Sequence, residues 1–215
     1  MQYRTIILDP PWPYDRTAGQ GVANKQYSLM TWRDLHALRP LLHAVAAPDC
    51  AIFLWTTAPL LMEIGDAVRM WGFRYITKSF CWVKTTRDGA IFFGIGSYTA
   101  SNTEDVWLLS NGTPKRRAAD VSQVVPTYDT EAVIAPMGRH SRKPEDVQDR
   151  IERLFDGPYL EIFACRRRPG WTCIGNELDG LDVRESLACL AADAPLPALP
   201  EARPPMFDLF EEQAA

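Results

Sequence analysis

The segment Ile7-Leu8-Asp9-Pro10-Pro11-Trp12 is the strongest constraint on how this 215-residue chain folds. Tyr3 to Leu8 is a β-branched apolar run, which reads as a buried strand. The acid and two prolines end it abruptly, because proline fixes φ and brings no N–H to a ladder. The expected product is a rigid loop at the carboxyl edge of a sheet, where open α/β sheets bind ligands.

The rest of the chain supplies such a sheet. Thr31-x-x-Asp34 resembles a capping box opening a helix through about Ala46, with Pro40 kinking or dividing it. Cys50 to Trp55 is an apolar strand, and Ala58 to Trp71 has helical spacing closed by Gly72. Strands are expected at Phe73–Thr77, Phe80–Val83, Glu104–Leu109, Val121–Val125, Tyr159–Ala164 and Thr172–Ile174. Pro144 at the first helical position opens a helix to about Phe155. Alternating strands and helices imply an α/β fold, mostly parallel, with helices on both faces. The expected domain is residues 1–182, and 183–215 is expected to be an Ala/Pro-rich acidic tail.

Charge then needs to be located rather than summed. The chain carries 23 Lys and Arg against 27 Asp and Glu, a formal net charge of -4. Seven of those acids and only two of the bases fall in residues 181–215, so the domain is nearly neutral. Its bases bunch at Lys115-Arg116-Arg117, Arg139 to Lys143 and Arg166-Arg167-Arg168, a phosphate-binding footprint if those loops lie on the site's rim. The five cysteines show no CxxC or Cys/His metal spacing, so free thiols and no metal site are expected. The start lacks the basic and apolar regions of a secretion signal, and no apolar stretch reaches membrane-spanning length. A soluble cytoplasmic protein, monomeric or weakly dimeric, is the expectation.

The chemistry expected of the Asp9 loop is a grip on a planar amine. A carboxylate beside a fixed Pro10 carbonyl offers two acceptors for the two hydrogens of one amino group, and Trp12 offers a π-face for the ring that bears it. Such a grip suits the amino group of adenine or cytosine, or a glutamine amide. A nuclease built on Asp9 and Asp15 lacks a third clustered ligand.

Asp9-Pro10-Pro11-Trp12 resembles the signature of the DPPW-type, MT-A70-like N6-adenine methyltransferases. Further blocks follow in the family's order: Gly94 to Tyr98 with Asn102-Thr103-Glu104, then His140 to Glu145, then Glu161-Ile162-Phe163-Ala164 with Gly175-Asn176-Glu177. The likeness covers roughly residues 3–180. It implies a Rossmann-like fold using S-adenosyl-L-methionine and acting on nucleic acid; the compact single domain without RNA-binding appendages leads us to expect DNA more than RNA. It implies catalytic roles for Asp9, Pro10, Pro11 and Trp12, and substrate contacts from Tyr14, Tyr98, Asn102, Glu104 and Arg142. It assigns the cofactor to Lys143, Phe163, Asn176 and Glu177. Phe92-Phe93-Gly94-Ile95-Gly96 mimics the FxGxG cofactor loop of other amino-methyltransferases, and the family's alignment puts it near substrate instead. A catalytically idle nucleic-acid-binding relative is the competing reading.

The candidate wedge and clamp residues for an extruded base lie in Tyr14–Tyr27 and Thr85–Ser101, with Asp15–Gln26 a polar, mobile lid. The tail's Met206-Phe207-Asp208-Leu209-Phe210 resembles sliding-clamp-binding peptides, which present apolar anchors to a groove.

Overall fold

Alternate residues of strands β1 (Tyr3–Leu8) and β2 (Ala46–Thr56) enter opposite cores, and this period of two sets the layers. Ile6, Leu8, Ile52 and Leu54 pack with helices α1 (Trp32–Ala37), α2 (Arg39–Val45) and α3 (Leu61–Trp71). Ile7, Ala51, Phe53 and Trp55 pack instead with helix α4 (Glu145–Leu154). A computed structural model describes residues 1–13, 30–86, 88–94, 96, 98–128 and 143–196.

The sheet has seven strands in the order β5-β3-β4-β2-β1-β6-β7. The remaining strands are β3 (Arg74–Thr85), β4 (Thr103–Asn111), β5 (Val124–Tyr128), β6 (Tyr159–Ile162) and β7 (Trp171–Ile174). β1 pairs in parallel with β2 and β6, β6 with β7, and β3 with β5; only the pairs made by β4 are antiparallel. β4 therefore runs against the other six. Its beginning shares one sheet edge with the carboxyl ends of the rest, so residues from five separate stretches of sequence converge there. Mostly parallel, with helices on both faces, this is the expected Rossmann-like arrangement.

Local signals explain the boundaries. The Thr31 hydroxyl accepts from the Asp34 N–H, and the Asp34 carboxylate accepts from the Thr31 N–H, so α1 starts on a closed capping box. Pro40 divides the expected long helix: α1 and α2 meet at Leu38, and Pro40 sits in the first turn of α2. Gly72 ends α3 with φ 81°, a left-handed conformation that suits glycine. The two strands expected at Phe73–Thr77 and Phe80–Val83 are one strand. Its pairing with β4 shifts at Tyr75/Thr77 and Lys78/Phe80, and these irregularities break the alternation without breaking the ladder.

Regular structure continues past residue 182. Asp182 and Glu185 form a second capping box, which opens helix α6 (Val183–Ala191) after the single turn α5 (Asn176–Asp179). Val183 and Leu187 are buried beside α2, and Ser186 donates to the buried Asp179 carboxylate at 2.9 Å. Packing thus continues to at least Ala191, and burial of that face outweighs the Ala-rich composition. Among the described residues no helix is long and apolar enough to cross a membrane, and no cluster of His, Cys, Asp and Glu could hold a metal. The cysteines described are all free thiols, as expected.

Candidate active site

β1 lies where the chain leaves to β2 on one side and returns as β6 on the other, the crevice at which such sheets take ligands. Asp9 is the first residue past its end, and its N–H still reaches Ile162 O of β6 at 3.4 Å. The prolines stop the ladder. The Trp12 N–H folds back onto Pro10 O at 2.8 Å, a three-residue turn that stiffens the loop. A carbonyl oxygen has two lone pairs, so Pro10 O keeps acceptor capacity beside Asp9.

Trp12 does not present the open π-face expected of it. Its ring is 6% exposed, with Trp32 and Trp71 centred 5.7 and 6.4 Å away, and its indole N–H donates to Trp55 O at 3.1 Å. A large ring with one polar atom is best buried when that atom finds a partner, and here it does. Trp12 is the anchor that clamps the Asp9 loop to the core.

On the β2–β4 side of Asp9 runs a chain of alternating charge. Lys143 Nζ lies 3.2 Å from Asp9 Oδ2 and 3.1 Å from Glu104 Oε2, and Lys84 Nζ lies 2.8 Å from Glu104 Oε1. The Lys143 ammonium also sits 5.2 Å from the centre of the Trp55 ring. Burial by itself would raise the Glu104 pKa, but Lys143 and Lys84 outweigh it and hold the carboxyl below its ordinary value. Burial would likewise lower Lys143, but Asp9 and Glu104 raise it well above the usual lysine range. The contact exists because β4 is reversed: Glu104, near its start, pairs across from Trp82 and so reaches the edge that carries Asp9.

The β6–β7 side is different. Phe163 follows β6 with φ 66°, strained for a residue other than glycine, and is half-buried against the helical core. Ala164 N–H then donates to Ile174 O at 2.9 Å. A side chain at Gly175 would put its Cβ 2.4 Å from Ala164 O, so only glycine permits this close approach. Asn176 and Glu177 follow it, both exposed at the start of α5. Lost hydration and the Glu177 and Asp9 carboxylates push the Cys165 thiol up to about 12. Beneath them, burial pushes Glu161 up to about 7, with the Asp9 charge adding to the shift and Arg166 opposing it. Gln148 donates to Glu161 Oε2 at 2.7 Å and accepts from Arg166 at 3.1 Å, which fixes which end of its amide faces the acid.

The edge therefore gathers Asp9, Pro10, Glu104, Lys143, Phe163, Asn176 and Glu177 from the sequence expectations. Asn102 stands at the margin, its carbonyl accepting the Lys84 N–H at 2.9 Å, and Tyr98 points wholly into solvent. Tyr14, Arg142, the Asp15–Gln26 lid, Arg139 to Ser141 and Met206–Phe210 lie outside the described residues. The basic footprint is smaller than expected. Lys115-Arg116-Arg117 follows the far end of β4, where Arg117 pairs with Asp156 at 3.1 Å, on the edge opposite Asp9. Arg166 pairs with Glu145, and Arg168 with Asp149 and Glu152, so two of those three arginines fasten the β6–β7 loop to α4. Lys84, Trp55, Glu161 and Cys165 are the residues that sequence reasoning missed. The one available signal was a lysine at the end of the apolar run Phe80–Val83.

The MT-A70 family model matches residues 3–177, nearly all of the region that builds this edge. The chain belongs to the MT-A70 family. Methyltransferases of this family use S-adenosyl-L-methionine as methyl donor. Among MT-A70 relatives, the type II methyltransferase M.MunI of a Mycoplasma species is 29% identical over 199 residues, covering 82% of this chain and 78% of that one. The human N(6)-adenine-specific methyltransferase METTL4 is 29% identical over 187 residues. The human N(6)-adenosine-methyltransferase catalytic subunit METTL3 is 25% identical over 186. The chain spans only 37% and 29% of the lengths of those two human proteins.

Proposed function

We propose that this chain transfers a methyl group from S-adenosyl-L-methionine to the N6 amino group of adenine in nucleic acid, with DNA the preferred substrate. The observation that carries the reading is the Asp9 loop: a carboxylate followed at once by the Pro10 carbonyl, on a turn stiffened by the Trp12 N–H bond to Pro10 O and by the buried Trp12 anchor. Asp9 accepts one amino hydrogen and Pro10 O the other, which fixes the plane of the amine and turns its nitrogen toward an electrophile.

The donor set suits the cofactor. The Lys143 ammonium, 24% exposed, would meet its carboxylate, and the Asn176 amide and Glu177 carboxylate would meet paired ribose hydroxyls, with Phe163 as a wall. When bound, S-adenosyl-L-methionine supplies a methyl group on a positively charged sulfur, and the attacking amine gives up one proton as it gains that methyl. Lys143 balances the charge of Asp9 and Glu104 until ligand groups compete for it. DNA is favoured because the type II methyltransferase is matched along most of both chains, whereas the adenosine methyltransferase METTL3 is matched along only 29% of its length. The Met206–Phe210 peptide is read as a handle for a sliding clamp on sequence alone; a tail peptide that captures no clamp would remove that part.

Transfer of tritiated methyl to DNA and RNA pools, followed by nucleoside analysis, tests the main reading. N6-methyladenine in the DNA pool is the expected product. Label in N4-methylcytosine or in a protein glutamine would replace the substrate, and absence of transfer with intact cofactor binding would leave an idle relative.

A further inference from the structure

Between β3 and β4 the chain makes an excursion, residues 86–102, that starts and ends at the reacting edge. Its base is pinned there. Lys84 N–H donates to Asn102 O and Phe92 N–H donates to Lys84 O, both at 2.9 Å, and Lys84 also holds Glu104. Its interior is braced as well. Gly94 and Ser101 exchange both backbone hydrogen bonds, and a Cβ at Gly94 or Gly96 would fall 2.4 or 2.0 Å from the facing Ser101 or Thr99 oxygen. Two short backbone-to-backbone approaches that only glycine permits make this a shaped protrusion. Yet it carries Phe93 at 75% exposure and Tyr98 fully exposed, with Ile91 also outside. Large apolar side chains on a braced segment beside a reacting centre, covered by nothing among the described residues, suit a planar apolar partner.

We infer that Phe93 and Tyr98 are a stacking wedge that holds duplex DNA open at the target, filling the gap left by the extruded adenine or capping its neighbours. The inference rests on the proposed nucleic-acid substrate. An amino group inside a duplex cannot reach the Asp9 loop without extrusion, which costs a few kcal/mol. Aromatic rings take any base as a partner and so offset that cost without reading sequence. The wedge thus acts on duplex and has little to do on strands already unpaired.

The experiment compares the wild type with Phe93→Ala, Tyr98→Ala and Tyr98→Phe on random-sequence duplex DNA and on the same pool as single strands. Loss of ten- to a hundredfold on duplex is expected for the alanine variants, with single-strand rates within about threefold and Tyr98→Phe close to wild type. In parallel, 5-iodouracil-substituted duplex is photocrosslinked to the wild type without cofactor, and the adducts are mapped by mass spectrometry; they should fall on Phe93 or Tyr98. Equal losses on both pools, no loss on duplex, or adducts elsewhere would overturn the wedge. A melting temperature lowered by several degrees in Tyr98→Ala would overturn it too, since the ring would then be packing on its own chain. A wild type that methylates no adenine in either pool sinks the proposed function instead, and the crosslinks still report on the wedge.

Discussion

Glu104 and Glu161 flank the Asp9 loop in opposite electrostatic surroundings. Glu104, at the start of β4, faces two ammonium groups that overcome its burial and keep it ionised. Glu161, on β6, is half-buried against the neutral Gln148 amide, with the Asp9 charge adding to the desolvation and Arg166 only partly offsetting it, so that it titrates near neutrality. The same side chain is thus a fixed anion on one side of β1 and a proton-holding group on the other. Asp9 stands at the boundary of a positively buffered flank and an acid-rich one. An amine gripped there would have its charge balance supplied from one side, while the other side carries one carboxyl that titrates near neutrality and a thiol held protonated.

Removing the boundary residue should have the largest effect. Asp9→Ala is expected to lower methyl transfer by about 10³-fold or more, because it deletes an orienting acceptor. Cofactor affinity by calorimetry should change by only a few-fold, since Lys143 keeps Glu104. Retained turnover would show that the two flanks meet somewhere other than Asp9.

Next in size is the proton-holding flank. The folded-state pKa of Glu161, about 7, lies above its ordinary 4.5, so the stability it contributes is whole below about pH 4.5 and is lost as pH rises through 7. Glu161→Gln removes that dependence. In urea unfolding it should gain about 2–3 kcal/mol over the wild type at pH 8 and nothing at pH 4.5. A pH-independent difference between the two proteins would break the contrast.

The smallest effect sharpens the other flank. Lys84→Met leaves Glu104 one ammonium instead of two, so its carboxyl rises. The acid limb of the pH–rate profile should move up, with a several-fold loss near pH 4 and little above about pH 6.5. Lys84→Arg should restore the limb. An equal loss at every pH would make Lys84 merely structural.

How much of this was legible depends on distance along the chain. β1 and the Asp9 turn could be read because apolar run, acid and prolines are contiguous, and the Thr31 box and Gly72 are equally local signals. The roles of Lys84 and Trp12 could not. Lys84 matters only because β4 runs backwards and brings Glu104 to its side, and alternating strands and helices do not reveal strand order. Trp12 looked like a free face because Trp32 and Trp71, the rings it packs against, are remote in sequence. Helix α6 was hidden by composition, although its Asp182-x-x-Glu185 box was in plain view.

The reversed strand has one more consequence. Both feet of the β3–β4 excursion stand on neighbouring antiparallel strands, so its length is decoupled from every parallel crossover in the sheet. Doubling such a loop costs only about 0.6 kcal/mol in closure entropy. Target preference in this enzyme could therefore diversify by insertion at a single address, leaving the Asp9 grip and the register of all seven strands as inherited.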